Sequence, residues 1–85
     1  QATEAERALL RRLEGGCQVP IGAYAQIDGG ELHLRALIAS PDGRTVVRDE
    51  IRGPAVSAVE LGTVLAERLL SAGGKTILAE VRGGG

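Results

Sequence analysis

Apolar residues first recur at helical spacing: Ala5, Ala8, Leu9 and Leu13 form one stripe, opposite Arg7, Arg11 and Glu14. Thr3 followed by Glu6 fits a capping box, so the spacing predicts a helix over Thr3 to Glu14. From Ile21 the period becomes two. Ile21, Ala23, Ala25 and Ile27 share one strand face, and Leu32, Leu34, Ala36 and Ile38 share the corresponding face of the next. Asp28-Gly29-Gly30 between them is a hairpin turn signal. Ser40-Pro41-Asp42-Gly43 marks a second turn, leading to a third strand over Thr45 to Arg52. On the opposite face, His33, Arg35, Arg48 and Glu50 give the polar pattern of a sheet wet on one side.

Pro54 is expected to stop the sheet, and Ser57 with Glu60 reads as a second capping box. Ala58, Leu61, Gly62, Leu65, Leu69 and Ala72 then recur at helical spacing until Gly73-Gly74 ends the run. Gly62 inside this helix costs about 1 kcal/mol relative to alanine, which points to a close approach of helix to strand. A last short helix over Thr76 to Val81 places Ile77, Leu78 and Val81 on one side. The implied fold is α+β: a three-stranded antiparallel meander with helices packed on one face.

At 85 residues the chain is expected to form one domain, and domains of this size bury only about 60 to 65 per cent of their unfolded surface. With no Trp, Phe or Met, the core must be built from Leu, Val, Ile and Ala, with Tyr24 as the single aromatic. Base stacking by aromatics, the usual platform for single-stranded nucleic acid, is therefore almost excluded. Ten basic and eleven acidic side chains, mixed along the chain for a net charge of −1, suggest neither a phosphate-binding face nor a polybasic membrane patch. No apolar run approaches the roughly 20 residues that span a bilayer, and no signal peptide is visible. A lone cysteine cannot form an internal disulfide, so a cytoplasmic location is expected. The start at Gln1 and the Gly83-Gly84-Gly85 end fit a mature fragment, an excised domain or a partial chain.

That cysteine sits at the joint between the first helix and the sheet, in Leu13-Glu14-Gly15-Gly16-Cys17-Gln18-Val19-Pro20-Ile21. Gly15 and Gly16 release the backbone from the helix, and Pro20 biases Val19 toward an extended conformation. Cys17 would then project from a short loop held at both ends by regular structure. A lone cysteine in a small domain is most often inert core packing. Its position after a helix C-terminus, where the partial charge is negative, does not suit a nucleophile that regenerates at each turnover. It is compatible with a thiol alkylated once, and Arg11 or Arg12 could partly offset the field.

The stretch Glu6-Arg7-Ala8-Leu9-Leu10-Arg11-Arg12-Leu13-Glu14-Gly15-Gly16-Cys17-Gln18-Val19-Pro20-Ile21-Gly22-Ala23-Tyr24-Ala25 resembles the cofactor-attachment segment of the porphobilinogen deaminase (hydroxymethylbilane synthase) family. The similarity continues through Leu34-Arg35-Ala36-Leu37-Ile38-Ala39-Ser40-Pro41-Asp42-Gly43 and Ala58-Val59-Glu60-Leu61-Gly62, covering about Thr3 to Val81. The resemblance implies the C-terminal domain of a transferase that polymerises four porphobilinogen units into hydroxymethylbilane with release of ammonia. Cys17 would hold a dipyrromethane primer through a thioether, with Gly15, Gly16 and Gln18 as its loop neighbours. The acidic side chain and arginine cluster which that chemistry also needs belong, in the family, to two larger α/β domains. No residue of this chain matches their motifs, so only Cys17 is carried over. The implied partners are those two domains, porphobilinogen and the growing pyrrole chain. The isolated domain is expected to be monomeric and to lack turnover.

Other candidates are weaker. A Cys17–His33 catalytic pair would need His33 within about 3 Å of the sulfur, but alternation puts His33 beside Arg35, away from the core, as a solvated strand histidine. One Cys and one His are too few for a metal centre. Asp28, Asp42, Asp49 and Glu50, taken as turn or outer-strand residues, lack the spacing of a calcium loop. Gly15-Gly16 lacks the preceding strand of a dinucleotide fingerprint. The alternative function is a noncatalytic α+β interaction module whose cysteine is structural.

Overall fold

A computed structural model of the chain describes residues 2–13 and 21–83. Helix α1 spans Ala2–Leu13 and is followed by strands β1 (Ile21–Asp28), β2 (Glu31–Ala39) and β3 (Val46–Pro54). A 3₁₀ turn (Ala55–Ser57) leads into α2 (Ala58–Leu69), and a wider turn (Leu70–Gly74) separates α2 from α3 (Lys75–Gly83). The sheet is antiparallel in the order β1-β2-β3, as the alternation predicts.

The two turns follow from their residues. Gly29 and Gly30 have φ of 58° and 85°, the conformation of a type I′ hairpin turn, which L-residues with a Cβ seldom adopt. In the second turn the Ser40 hydroxyl donates to Asp42 Oδ1 at 2.5 Å and accepts from the Thr45 N–H at 3.1 Å. That hydroxyl, together with the Arg44 N–H, holds the Asp42 carboxyl below its ordinary value.

Register explains the core. Leu32, Leu34, Ala36 and Ile38 of β2 are buried, and their partners Ile27, Ala25, Ala23 and Ile21 lie on the same face, as do Val47 and Ile51 of β3. The helices close over this face with Ala5, Leu9, Leu13, Leu65, Leu69, Ile77 and Leu78, all buried. Burial of a large aliphatic side chain contributes about 1.5–3 kcal/mol, so this layer dominates stability. The surface pairs Arg12–Glu67 and Arg68–Asp49 (3.0 Å), each with the arginine side chain about half exposed, add little.

The structure corrects the expected details. Thr3 lies inside α1 rather than at its cap, and the Glu6 carboxylate accepts from the Ala25 N–H at 2.9 Å, fastening the helix to edge strand β1. Ser57 sits at the start of α2 with φ −102° and ψ 27°, and its hydroxyl makes no capping bond. The preceding 3₁₀ turn satisfies the helix start instead, the Ala58 N–H bonding the Ala55 carbonyl. Pro54 stops the sheet as expected, but as the last residue of β3, opposite Glu31, so the strand runs past Arg52. Asp49, expected on an outer face, points to the helix side of β3 and reaches Arg68. Ala72 is exposed, because α2 gives way to the wider turn after Leu69, and Gly73 reverses the chain with φ 130°. Tyr24 is not a core residue: it is 57% exposed on the face away from the helices.

Gly62 owes its place to a helix and not to a strand. A Cβ there would lie 2.3 Å from the Ala5 carbonyl oxygen and 3.0 Å from Ala8 Cβ, so α1 and α2 touch backbone to backbone. Glycine-to-alanine changes inside helices ordinarily stabilise by about 1 kcal/mol. At Gly62 the collision with backbone reverses the sign, and overpacking costs of about 1–3 kcal/mol apply. Gly62→Ala is therefore expected to lower the urea midpoint of this chain at unchanged slope. A rise in the midpoint would contradict the close approach.

Candidate functional site

The four residues singled out by sequence, Gly15, Gly16, Cys17 and Gln18, lie outside the described residues. What the structure defines is the frame around them. On the N-terminal side, Leu13 is the last residue of α1 and is 1% exposed, locked among core side chains. On the C-terminal side, Ile21 opens β1 opposite Ile38 and packs against the same core. Residues 14–20 therefore leave and rejoin one rigid layer at its two anchor points.

This end of the domain also carries a cleft of about 610 Å³ lined by Leu13, Leu70, Leu78, Arg12, Ser71 and Lys75. Leu13 and Leu78 are buried beneath it, while Arg12, Ser71 and Lys75 are exposed. Arg12 is bonded to Glu67, which ties the end of α1 to α2. Lys75 has no ion-pair partner among the described residues. An apolar wall beside a free cation suits a flat apolar group bearing carboxylates. Gly74 makes the corner possible, since a Cβ there would stand 2.7 Å from both the Leu69 carbonyl oxygen and Ile38 Cδ1.

The outer face of the sheet is the second feature. Around a shallow cleft of about 660 Å³ stand Gly22, Tyr24, Arg35, Leu37, Arg48 and Glu50. His33 is not the solvated residue expected from alternation. Its side chain is only 14% exposed, and Nε2 is hydrogen-bonded to Glu50, the diagonal neighbour two residues along β3 from its direct partner Arg52. Among the described residues no three His, Cys, Asp or Glu side chains, this pair included, converge as a metal-binding group. Among the same residues no helix is long and apolar enough to cross a membrane.

Sequence reasoning missed three of these residues. Tyr24 was countable as an outward position, since Ala23 and Ala25 face inward, but its status as sole aromatic drew it to the core. Lys75 and Ser71 carry no local signal; only the turn at Gly73-Gly74 brings them beside Leu13.

Comparison with known proteins gives consistent relatives. The family described as "Porphobilinogen deaminase, C-terminal domain" matches residues 1–71. A protein of Pelobacter propionicus named porphobilinogen deaminase is 62% identical over 80 residues, covering 94% of this chain. One of Trichlorobacter lovleyi with the same name is 59% identical over the same length and share. The chain spans 26% of the length of each.

The His33–Glu50 bond sets a pH dependence. The His33 ring N–H, reinforced by positive charge at His33, Arg35 and Arg52, holds the Glu50 carboxyl below its ordinary value. A depressed folded-state value means stabilisation that is complete above the unfolded value and is lost as pH falls through the folded one. Glu50→Gln is therefore expected to be less stable than wild type at pH 6 to 7, with the gap closing below the ordinary glutamate value of about 4.3. Parallel thermal melts across that range test it; a gap that stays constant into acid would refute the assignment.

Proposed function

The chain belongs to the porphobilinogen deaminase C-terminal domain family, and on that premise we propose that it is the cofactor-carrying domain of an enzyme that joins four porphobilinogen units into hydroxymethylbilane, releasing ammonia. Its attachment residue is Cys17, whose sulfur would hold a dipyrromethane through a thioether. When bound, that group supplies the pyrrole terminus from which the chain grows. The cytoplasmic setting expected from the single cysteine is part of the same proposal.

One observation carries this reading: Leu13, buried at the end of α1, and Ile21, paired with Ile38 at the start of β1, are fixed in one core, and the only cysteine of the chain lies between them in sequence. Such a frame restricts where a thioether-bound group can reach, and restriction of this kind is what positioning contributes to rate. The residues beside the segment are chemically suited to the group. Leu13, Leu70 and Leu78 offer an apolar wall for pyrrole rings. Lys75 offers a counter-charge for the acetate and propionate carboxylates those rings bear.

The described part of the chain holds no arginine cluster converging on that cleft and no carboxylate there free to act as an acid, since Glu67 is engaged by Arg12. Proton transfer and ammonia loss are therefore assigned to the polypeptide outside this chain, in keeping with its 26% share of the relatives' length. On this proposal the domain carries and orients; its separated form has no turnover.

The denatured intact mass of the full-length enzyme tests the proposal. After expression in cells making porphobilinogen, the wild type is expected to carry an excess equal to two linked porphobilinogen-derived pyrroles, mapped to the Cys17 peptide. Cys17→Ser is expected to carry none and to lose synthesis of hydroxymethylbilane while keeping its circular dichroism. An unmodified wild type that stays unmodified with added porphobilinogen, or an adduct elsewhere, would defeat the proposal. Thiol labelling then identifies a structural cysteine, which reacts only after unfolding.

A further inference from the structure

We propose that the open face of the sheet is the surface on which the rest of the parent polypeptide docks, through an acidic patch of that polypeptide set against Arg35 and Arg48. This rests on the assignment of the chain to a larger enzyme, of whose length it makes up 26% in the relatives. The helices cover one face of the sheet and leave the other bare, and what stands on the bare face is not ordinary solvent-facing surface.

Tyr24 is 57% exposed there and is the only aromatic residue in the chain. It lies directly across from Arg35 in the β1–β2 register, and Leu37 lies across from Arg48 in the β2–β3 register. The two arginines therefore flank a cleft whose walls are a phenol ring and a leucine. Gly22 keeps that leucine uncovered, since a Cβ there would lie against it, 3.6 Å from its Cγ. Tyr and Arg are the residue types enriched at the energetic centres of interfaces, where a ring or guanidinium plane is desolvated against a partner.

The charges specify the partner. Arg35 stands opposite Glu50 in the register, yet the Glu50 carboxylate is bonded to His33. Arg35, Arg48 and Arg52 have no ion pair among the described residues. The cleft end of the face is thus positive, its carboxylate Glu50 being already engaged, while Asp28 and Glu31 stand at the hairpin end of the same face; an acidic surface complements the cleft end. Its place fits the assigned chemistry too. The cleft begins at Gly22, next to Ile21, where residues 14–20 rejoin the sheet. A partner seated on Tyr24 reaches the start of β1, the strand that follows the cysteine in sequence.

Nitration of Tyr24 and dicarbonyl labelling of arginines, read peptide by peptide, test this in the 85-residue chain and in the full-length enzyme. Tyr24, Arg35 and Arg48 are expected to react several-fold more slowly in the full-length enzyme. Arg44, 87% exposed in the second turn, is expected to react equally in both. Arg35→Glu with Arg48→Glu should restore Tyr24 nitration in the full-length enzyme. Equal Tyr24 rates in both proteins would overturn the proposal. So would protection in the 85-residue chain that grows with concentration, which assigns the face to a second copy, or protection that needs added porphobilinogen, which makes it a small-carboxylate site. The Cys17 mass adduct is read on the same samples. An adduct with unprotected Tyr24 removes the docking face alone, and protected Tyr24 without an adduct removes the cofactor assignment alone.

Discussion

The approach of α2 to α1 at Gly62 is the constraint on which the rest of the structure depends. With a Cβ position only 2.3 Å from the Ala5 carbonyl oxygen, the two helices can lie this close only where one residue lacks a side chain. That proximity sets the height of α1 above the sheet. From it follow the burial of Leu9 and Leu13 and the reach of Glu6 to the Ala25 N–H. The Glu6 bond matters because β1 is an edge strand, with backbone donors open to solvent or to another chain. One carboxylate fastens α1 to β1, so the two elements flanking residues 14–20 are held to each other as well as to the core.

The same packing divides the sheet by chemistry. One face is built from aliphatic side chains, with Asp49 of edge strand β3 as its polar exception, held by Arg68. The other carries the whole aromatic content of the chain and all three strand arginines, Arg35, Arg48 and Arg52. The division costs nothing in unsatisfied groups: no buried side-chain nitrogen or oxygen lacks a hydrogen bond among the described residues. Even Ser40, the one buried polar side chain there, serves the second turn by accepting from the Thr45 N–H and donating to Asp42. Polar groups are confined to turns, edges and the outer face, where they remain available for contacts beyond the chain.

Much of this was legible in the sequence because period and turn chemistry are local. The alternation of Leu32, Leu34, Ala36 and Ile38 fixed the inner face, and the Gly29-Gly30 turn fixed the register that pairs Asp28 with Glu31. The errors share a different origin. Thr3 with Glu6 and Ser57 with Glu60 both match a capping pattern, yet Glu6 was taken by a strand and Ser57 by a preceding 3₁₀ turn, through contacts that no window of neighbouring residues contains. Gly62 announced a close approach, but whether a helix or a strand came near depended on the layer arrangement. Of the candidate site, sequence showed the cysteine and its joint, while Lys75 and Ser71 became visible only once the Gly73 turn brought α3 back beside Leu13.

The frame also bears on what kind of thiol chemistry the joint can serve. α1 ends at Leu13, and its last turn carries Arg11 and Arg12, either of which could offset the partial negative charge of a helix C-terminus. Arg12 does not do so freely, because its guanidinium is held by Glu67 on α2. A carboxylate therefore accompanies the cation at the very end where the cysteine segment departs, and the pair adds no net positive charge. A thiolate required afresh at every turnover would gain nothing from that pair, since activated cysteines draw on unpaired cations or helix N-termini, and would have to draw on Arg11 or Lys75 instead. A thioether asks nothing of the field once formed. On the proposed attachment, therefore, the Arg12–Glu67 pair can serve the packing of α1 on α2 at no cost to the chemistry of the sulfur.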